Sequence, residues 1–319
     1  MLDYPLLAAL AAVIRTGSFE RAARQLHVTP SAVSQRVKLL EERLGTVLVV
    51  RGQPCGGTAA GQRLCQHVER VALLESELRG ALPGLNPEDG PVTLRVAVNA
   101  DSLATWFVAA MAEATGGAAA GEPGCLFDLV LDDQDHSAEW LRKGEVLAAV
   151  TASAAPVPGC DSHPLGALRY RATASPDCVR RHFADGVTAE ALARAPCLTF
   201  NRKDRLQARW LRLVLDGRDQ ERLPLPPIHW LPSTHAFVDG ALAGLGWGMN
   251  PEPLVADHLA AGRLVELLPG RPLDVPLNWQ RSRIAGAALT TLSRAVLRVG
   301  RQALHPVAGD GVDGRRAGG

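Results

Sequence analysis

At 319 residues, 47% hydrophobic and 21% charged, the chain has the length of about two domains and the composition to give each a packed core, which excludes a disordered polyelectrolyte. The formal net charge of +1 selects no partner by itself, because a basic head can be offset by a more acidic remainder. No stretch reaches the roughly 18–20 apolar residues of a membrane helix, the run Pro5 to Ile14 lacks the basic start and cleavage site of a signal peptide, and six scattered cysteines form no CxxC or zinc spacing, so a cytoplasmic protein with reduced thiols, no metal, no cofactor and no membrane partner is expected.

Three helical segments open the chain. Leu6, Leu7, Leu10, Val13 and Ile14 recur at helical spacing, and Gly17 is a stop signal. Ser18 is a good N-cap for a short helix from Phe19 to Leu26, with Ala22, Ala23 and Leu26 facing inward. After the turn His27-Val28-Thr29, Thr29 caps a third helix with Pro30 at its first position, running to about Leu44 before Gly45. Val33, Val37, Leu40 and Leu44 make one apolar stripe. Ser31, Ser34, Gln35 and Lys38 fall on another face, flanked by Arg36. Hydroxyls and helix-end N–H groups suit phosphates, and Gln or Arg can pair bidentately with a base edge. Any one of these residues would also serve as ordinary solvated surface. The ensemble of short helix, three-residue turn and capped polar-faced helix is far more specific, and reads as a helix-turn-helix.

Val47 to Arg51 is expected to be a strand and Pro54-Cys55-Gly56-Gly57 a turn, giving a β-hairpin wing from which Arg51 can reach the sugar-phosphate backbone or a minor groove. From Arg15 to Arg51 there are seven basic residues (15, 21, 24, 36, 38, 43, 51) against three acidic ones (20, 41, 42), a local +4. Thr58 caps a long helix to about Leu82, on which Leu64, Val68, Val71, Leu74, Leu78 and Leu82 follow a near-heptad seam. Pairing with a second copy is the economical way to cover that seam, because two-fold half-sites need a two-fold protein.

Beyond a hinge at 84–91, strands alternate with helices. Strands are expected at Val92–Val98, Leu126–Leu131, Val146–Val150, Leu168–Ala174, Cys197–Phe200, Ile228–Leu231 and Gly246–Met249. Helices are expected around Leu103–Ala114, Ser137–Lys143, Ala189–Arg194, Arg205–Leu215, Thr234–Ala243 and Pro253–Ala260. The alternation predicts an α/β domain with largely parallel sheets, and its size suits two lobes with a cleft between them, resembling the periplasmic-binding-protein type. Ligands in such sheets bind at the carboxyl ends of strands. Those ends deliver Asn99, Asp101 and Ser102, then Asp132, Asp133 and Asp135, then Thr151 and Ser153, and in the second lobe Asn201 and Asp204, Ser233 and Thr234, and Asn250. Helix starts with Ser or Thr suit a carboxylate, and Asp-rich edges suit a cation, so a basic amino acid fits better than an aromatic acid. Two readings of Asp101 and Ser102 stand: ligand contacts, or mere helix caps. The acidic run reads first as a solvated loop, and His136 beside it as surface. The Gly244-x-Gly246-x-Gly248 run lacks the strand–turn–helix context of a dinucleotide fingerprint, Gly116 to Gly121 is not a phosphate loop, and there is no G-x-S-x-G or H-E-x-x-H. No enzyme is expected.

The run Phe19-Glu20-Arg21-Ala22-Ala23-Arg24-Gln25-Leu26, the run Thr29-Pro30-Ser31-Ala32-Val33-Ser34-Gln35-Arg36-Val37-Lys38-Leu39-Leu40-Glu41, and Arg51, Thr58 and Gly61 resemble the LysR-type transcriptional regulators. The segment Ala97 to Trp106, with Arg142-Lys143-Gly144-Glu145-Val146 and Gly244 to Met249, is similar to the ArgP/LysG-like subgroup that controls export of basic amino acids. The resemblance spans residues 1 to 300. It departs at Val49 and Val50, where the family commonly has Phe before the wing arginine, and at the tail from Pro306, which has no counterpart and is expected to be disordered.

The resemblance implies an α-helical winged helix-turn-helix at 1–58, a linker and dimerisation helix at 59–83, the hinge at 84–91, a two-lobed α/β effector-binding domain of periplasmic-binding-protein type at 92–305, and a tail at 306–319. It implies a sequence-specific regulator that answers to lysine or arginine and controls an amino-acid exporter gene. The expected partners are double-stranded operator DNA, a small-molecule effector, RNA polymerase and further copies of the chain as homodimer or homotetramer. The expected DNA contacts are Thr29, Ser31, Ser34, Gln35, Arg36, Lys38 and Arg51, and the expected ligand contacts Asn99, Asp101, Ser102, Thr151, Ser153, Asn201, Ser233 and Thr234. The competing functions are a non-specific chromosome-associated protein, a LysR-type regulator with an unrelated effector, and an enzyme carrying a DNA-binding tag.

Overall fold

The computed structural model describes residues 2–81, 93–116, 125–131, 137–215, 226–283 and 286–307. The chain divides into two units, Met1–Val92 with Ile284–Ala288, and Thr93–Arg283 with Leu289–Gly319.

In the first unit, α1 (Tyr4–Thr16), α2 (Phe19–Gln25) and α3 (Pro30–Leu44) bury one core, in which Leu6, Leu7, Leu10 and Val13 meet Ala22, Ala23, Val33, Val37 and Leu40. Both α2 and α3 start where a side chain can satisfy a first-turn N–H. Ser18 Oγ accepts from Arg21 N at 3.3 Å and Thr29 Oγ1 from Ala32 N at 3.2 Å. Leu44 departs from its expected place in the stripe: it is 42% exposed, because Gly45 ends α3 just where the helix passes the core edge. The wing is β1 (Val49–Val50) paired antiparallel with β2 (Gly56–Gly57), shorter than the strand expected from Val47. Glu41 on α3 holds it, accepting from Leu48 N at 2.8 Å and Val49 N at 3.2 Å.

Helix α4 (Ala59–Ala81) begins at Thr58, whose Oγ1 accepts from Gly61 N at 3.1 Å and donates to Val47 O at 2.9 Å. Gly61 passes so close to the wing that a Cβ there would lie 2.1 Å from the Leu48 carbonyl oxygen. Leu64, Cys65 and Val68 pack against the head, whereas Leu74 is 50% exposed. Leu82 and the hinge lie outside the described residues, as does the side chain of Leu78.

The second unit begins with β3 (Thr93–Val98), after which α5 (Ala100–Ser102), a π-helical stretch (Leu103–Phe107) and α6 (Val108–Gly116) follow continuously. Next come β4 (Leu126–Leu131), α7 (Ser137–Lys143), β5 (Ala148–Thr151) and the long β6 (Cys160–Ala174). Then follow α8 (Pro176–His182), α9 (Ala189–Arg194), β7 (Cys197–Thr199), α10 (Leu206–Val214), β8 (Ile228–Trp230), α11 (Thr234–Leu242), β9 (Gly248–Pro251) and α12 (Glu252–Ala260). The unit closes with β10 (Val265–Glu266), β11 (Leu273–Ser282) and α13 (Gly286–Ala303). The main sheet has the order β10-β6-β11-β5-β3-β4, with β9 also on β6, and β7 pairs β8 in a small second sheet.

The sheet is mixed rather than largely parallel. β3, β4 and β5 run parallel, but β11 is antiparallel to both β5 and β6, and β6 to β9 and β10. One half of the β6–β11 ribbon belongs to the lobe of β3, β4 and β5. The other belongs to the lobe of β7 to β10, so these two strands join the lobes, with a register shift at Leu277/Asn278. Each lobe has its own core, one around Ala97, Leu141, Val146 and Ala149, the other around Leu198, Phe237, Val238 and Val255. Beside the ribbon, His305 pairs with Ala167 through both backbone groups. Gly166 there has φ +133 and no room for a Cβ, which would stand 2.8 Å from Leu304 Cβ. The run Asp132, Asp133, Asp135 and His136, residues 117–121, and the tail from 308 lie outside the described residues.

Candidate DNA-binding surface and effector cleft

On α3, Thr29, Ser31, Gln35 and Lys38 are exposed and Ser34 and Arg36 half-buried, opposite the buried Val33, Val37 and Leu40. The first turn carries a hydroxyl pair, Thr29 Oγ1 and Ser31 Oγ, 3.0 Å apart. Lys38 makes a loose i,i+4 pair with Glu42 at 3.7 Å, an exposed contact that DNA phosphates can replace at little cost. Arg51 on the wing is exposed, its guanidinium over the Phe19 ring at 5.8 Å from the centroid. The surface therefore offers hydroxyls, one amide and three cations, held by exposed contacts that a duplex can displace.

The effector unit presents its polar groups differently. Where β3 ends, Asn99 and Ser102 are buried and Ser102 Oγ has no partner among the described residues. Asp101 between them joins the lobes. Its Oδ2 accepts from Tyr170 Oη of β6 at 2.7 Å, and its Oδ1 accepts from Thr234 Oγ1 at the start of α11 at 2.8 Å. Asp101 is thus more than a helix cap: Asn99 holds the N-cap position of α5. At the end of β5, the buried Thr151 donates to Ser153 O at 3.1 Å and accepts from Gln280 Nε2 at 3.1 Å, while Ser153 is exposed.

The remaining expected contacts do local work. Asn201 Oδ1 accepts from Lys203 N at 2.7 Å and Asp204 N at 3.1 Å, closing a turn. Ser233 caps α11, accepting from Ala236 N at 3.4 Å. Asn250 is buried against Thr173, donating to its Oγ1 at 2.9 Å. The structure brings Asp101 and Thr234 together across the cleft and groups Thr151 with Ser153. Tyr170 and Gln280 join them, although neither lies at a strand end that the sequence singles out. Tyr170 carries a usable signal, being one of only two tyrosines and buried between Arg169 and Arg171 in the second half of β6.

Away from the cleft, an open groove of about 580 Å³ on the second lobe is lined by Arg171, Glu252, Leu264 and Glu266 among others. It carries an ion network rather than the expected ligand residues. Arg171 donates to Glu252 at 2.9 Å and Glu266 at 2.6 Å, and His305 Nε2 lies 2.7 Å from Glu252. Burial alone would push the Glu252 carboxyl up, but hydrogen bonds from Arg171 and His305 hold it below the usual carboxylate range. All six cysteines are free, and burial pushes the Cys65 thiol up to about 12. No helix among the described residues is long and apolar enough to cross a membrane, and none of their His, Cys, Asp and Glu side chains form a group that could hold a metal ion.

Comparison with known proteins places both units. Residues 5–62 match the family model for bacterial regulatory helix-turn-helix proteins of the lysR family, and residues 90–301 match the LysR substrate binding domain. The transcriptional regulator ArgP of Pseudomonas fluorescens is 46% identical over 308 residues, which cover 96% of this chain and 100% of that protein. The crystal structure of ArgP from Mycobacterium tuberculosis is 44% identical with a TM-score of 0.76, covering 96% of this chain and 100% of that one. Full-length LysG from Corynebacterium glutamicum with bound effector Arg is 38% identical with a TM-score of 0.65, over 96% of this chain and 100% of that one. The chain therefore belongs to the LysR family, as a sequence-specific DNA-binding transcription regulator with a two-lobed effector-binding domain, and not to a family of enzymes.

Proposed function

We propose that this regulator answers to arginine or lysine bound between its lobes, and that the regulated gene encodes an exporter of that amino acid. The observation that carries the reading is the Asp101 bridge from the end of β3 to Tyr170 and Thr234, in a chain 38% identical to a LysG solved with arginine. A ligand with one carboxylate and two cationic groups finds complementary chemistry there. Ser102 Oγ and the backbone N–H groups opening the helix suit the carboxylate, and Asp101 suits a cation. Asn99, Thr151 and Ser153 complete the first lobe's side, with Asn201, Ser233 and Thr234 on the second. A ligand touching both lobes favours the closed arrangement, and a tenfold preference shifts the equilibrium by about 1.4 kcal/mol.

On DNA, α3 enters the major groove. Gln35 and Arg36 read base edges, Thr29, Ser31, Ser34 and Lys38 hold phosphates, and Arg51 reaches the backbone or minor groove beside them. The winged helix-turn-helix occupies 1–58 and the linker helix 59–83, whose seam pairs two copies into a dimer, or a tetramer through further contacts. The effector-binding domain occupies 92–305, and bound protein meets RNA polymerase at the promoter. Titration calorimetry of the full-length protein with arginine, lysine, histidine and an aromatic acid tests the effector. Heat from the aromatic acid alone would sink the basic-ligand reading. Footprinting on the neighbouring genes tests the rest: protection of one site over competitor DNA, changed by the bound amino acid, is expected, and a specific-to-competitor ratio near one would mean a non-specific chromosome protein.

A further inference from the structure

We propose that Gln280 is a positioning residue for the effector, acting through the loop that follows β5; the inference rests on the cleft proposed above. Residues Thr151 to Val157 leave the end of β5 and lead to β6 without regular structure after Thr151. Ala152 to Pro156 are solvent-accessible, whereas Thr151 and Val157 at the two ends are buried. One side chain from another strand holds this loop from beneath. Gln280 lies in β11 opposite Ala149 and is fully buried. Its Oε1 accepts from Val157 N at 2.9 Å. Its Nε2 donates toward Thr151 Oγ1 at 3.1 Å, Ser153 O at 3.0 Å and Ala155 O at 3.1 Å. Two N–H groups thus serve three acceptors, so the amide is saturated and its orientation is fixed by the loop itself.

Two consequences for the ligand follow from that geometry. The exposed Ser153 gets its place from a buried support rather than from a strand or helix, so its position depends on Gln280. The Thr151 hydroxyl is polarised: its proton goes to Ser153 O and one lone pair takes the Gln280 N–H. Toward any further group Thr151 can only accept. That suits an ammonium or guanidinium N–H and rejects a carboxylate oxygen, leaving the carboxylate to Ser102 Oγ. An amide at 280 therefore sets which end of an amino acid faces β5.

A carboxyl at the same place converts this arrangement into a pH-dependent one. In the Gln280→Glu variant the ionised carboxylate would turn acceptors toward Ser153 O and Ala155 O, while the protonated acid again supplies a donor. The test is titration calorimetry of the full-length protein with free arginine from pH 5 to pH 8, for the parent, Gln280→Met and Gln280→Glu, with circular dichroism to verify folding. Gln280→Met is expected to weaken arginine binding about tenfold at every pH, the scale of one lost hydrogen bond. Gln280→Glu should be as weak at pH 8 and regain affinity toward pH 5, relative to the parent. A merely structural role would lower the thermal midpoint and leave the pH profile parallel to that of the parent, which would overturn the proposal. Should Gln280→Met not fold, Gln280→Glu at pH 5 carries the comparison. Ser102→Ala and Asp101→Asn run alongside. If these bind arginine unchanged, the cleft reading falls; if they weaken binding and the Gln280 variants do not, only the positioning role falls.

Discussion

Polar side chains are presented in opposite ways by α3 and by the helix start after β3. On α3, Ser31, Gln35 and Lys38 stand in water, and Lys38 is tied to Glu42 by no more than an exposed pair. After β3, Asn99 and Ser102 are buried and Asp101 is bonded to two other elements. On the proposed roles, the difference follows from the sizes of the partners. A DNA duplex arrives as a large wet surface, so its contacts can wait in solvent and gain their energy from released counterions and matched base edges. A small molecule offers too few atoms for that, and must be enclosed by groups already aligned and stripped of water. Deleting a group should therefore hurt more in the cleft than on the helix.

A series of substitutions tests that ordering. The largest loss is expected for Asp101→Asn, which removes the charge from two hydrogen bonds; arginine affinity should fall by about 2 kcal/mol, roughly thirtyfold. Calorimetry reads this directly, and a change below threefold would remove Asp101 from the site. Tyr170→Phe and Thr234→Val should each weaken arginine binding less, and their double variant should be non-additive, since both act through one carboxylate. Next comes Lys38→Ala, with a loss of about 1 kcal/mol that is equal for operator and unrelated DNA, and a salt slope shallower by about one. Unequal losses would mean that Lys38 reads a base. The smallest effect belongs to Asp274. The Arg169 guanidinium, bonded to it at 2.8 Å, holds its carboxyl below the usual range. With the folded value depressed, the stability it contributes is present above the ordinary carboxylate value near 4 and disappears as pH falls through the folded value. Asp274→Asn should therefore leave acid unfolding of the effector unit less steep below about pH 4, by a margin typical of a part-exposed pair.

The same contrast governs what residue order reveals. Helices α1 to α4 are legible because their signals are local: Ser18, Thr29 and Thr58 as caps, Gly17 and Gly45 as stops, and apolar residues at helical spacing. The apolar stripe overreaches only at Leu44, beyond the core. In the effector unit most of the short strands and most helices are legible too, but β10, β11, α8, α13 and the first half of β6 are not. Pro164, Gly166 and Pro276 read as breaks, yet they lie in the β6–β11 ribbon near its register shift, where an irregular ladder tolerates them. α13 leaves a usable trace, since Leu289, Leu292, Ala295 and Val296 are all buried at helical spacing. Of the proposed cleft, the placement of Asn99, Asp101, Ser102, Thr151 and Thr234 at strand ends is legible, but Tyr170 reaches Asp101 across 69 positions and Gln280 reaches Thr151 across 129. Neither pairing leaves a local pattern.

The place of β11 in the sheet also fixes an order of assembly. This strand slots between β5 and β6, although it is synthesised after β7, β8, β9 and β10. The centre of the effector unit stays open while the ribosome is still making the second lobe, and closes only when Leu273–Ser282 emerges and inserts. The head draws its core from Leu6 to Val68, and can be complete long before. A nascent regulator is therefore able to shape its DNA-reading surface before it has any means of sensing what that surface should obey.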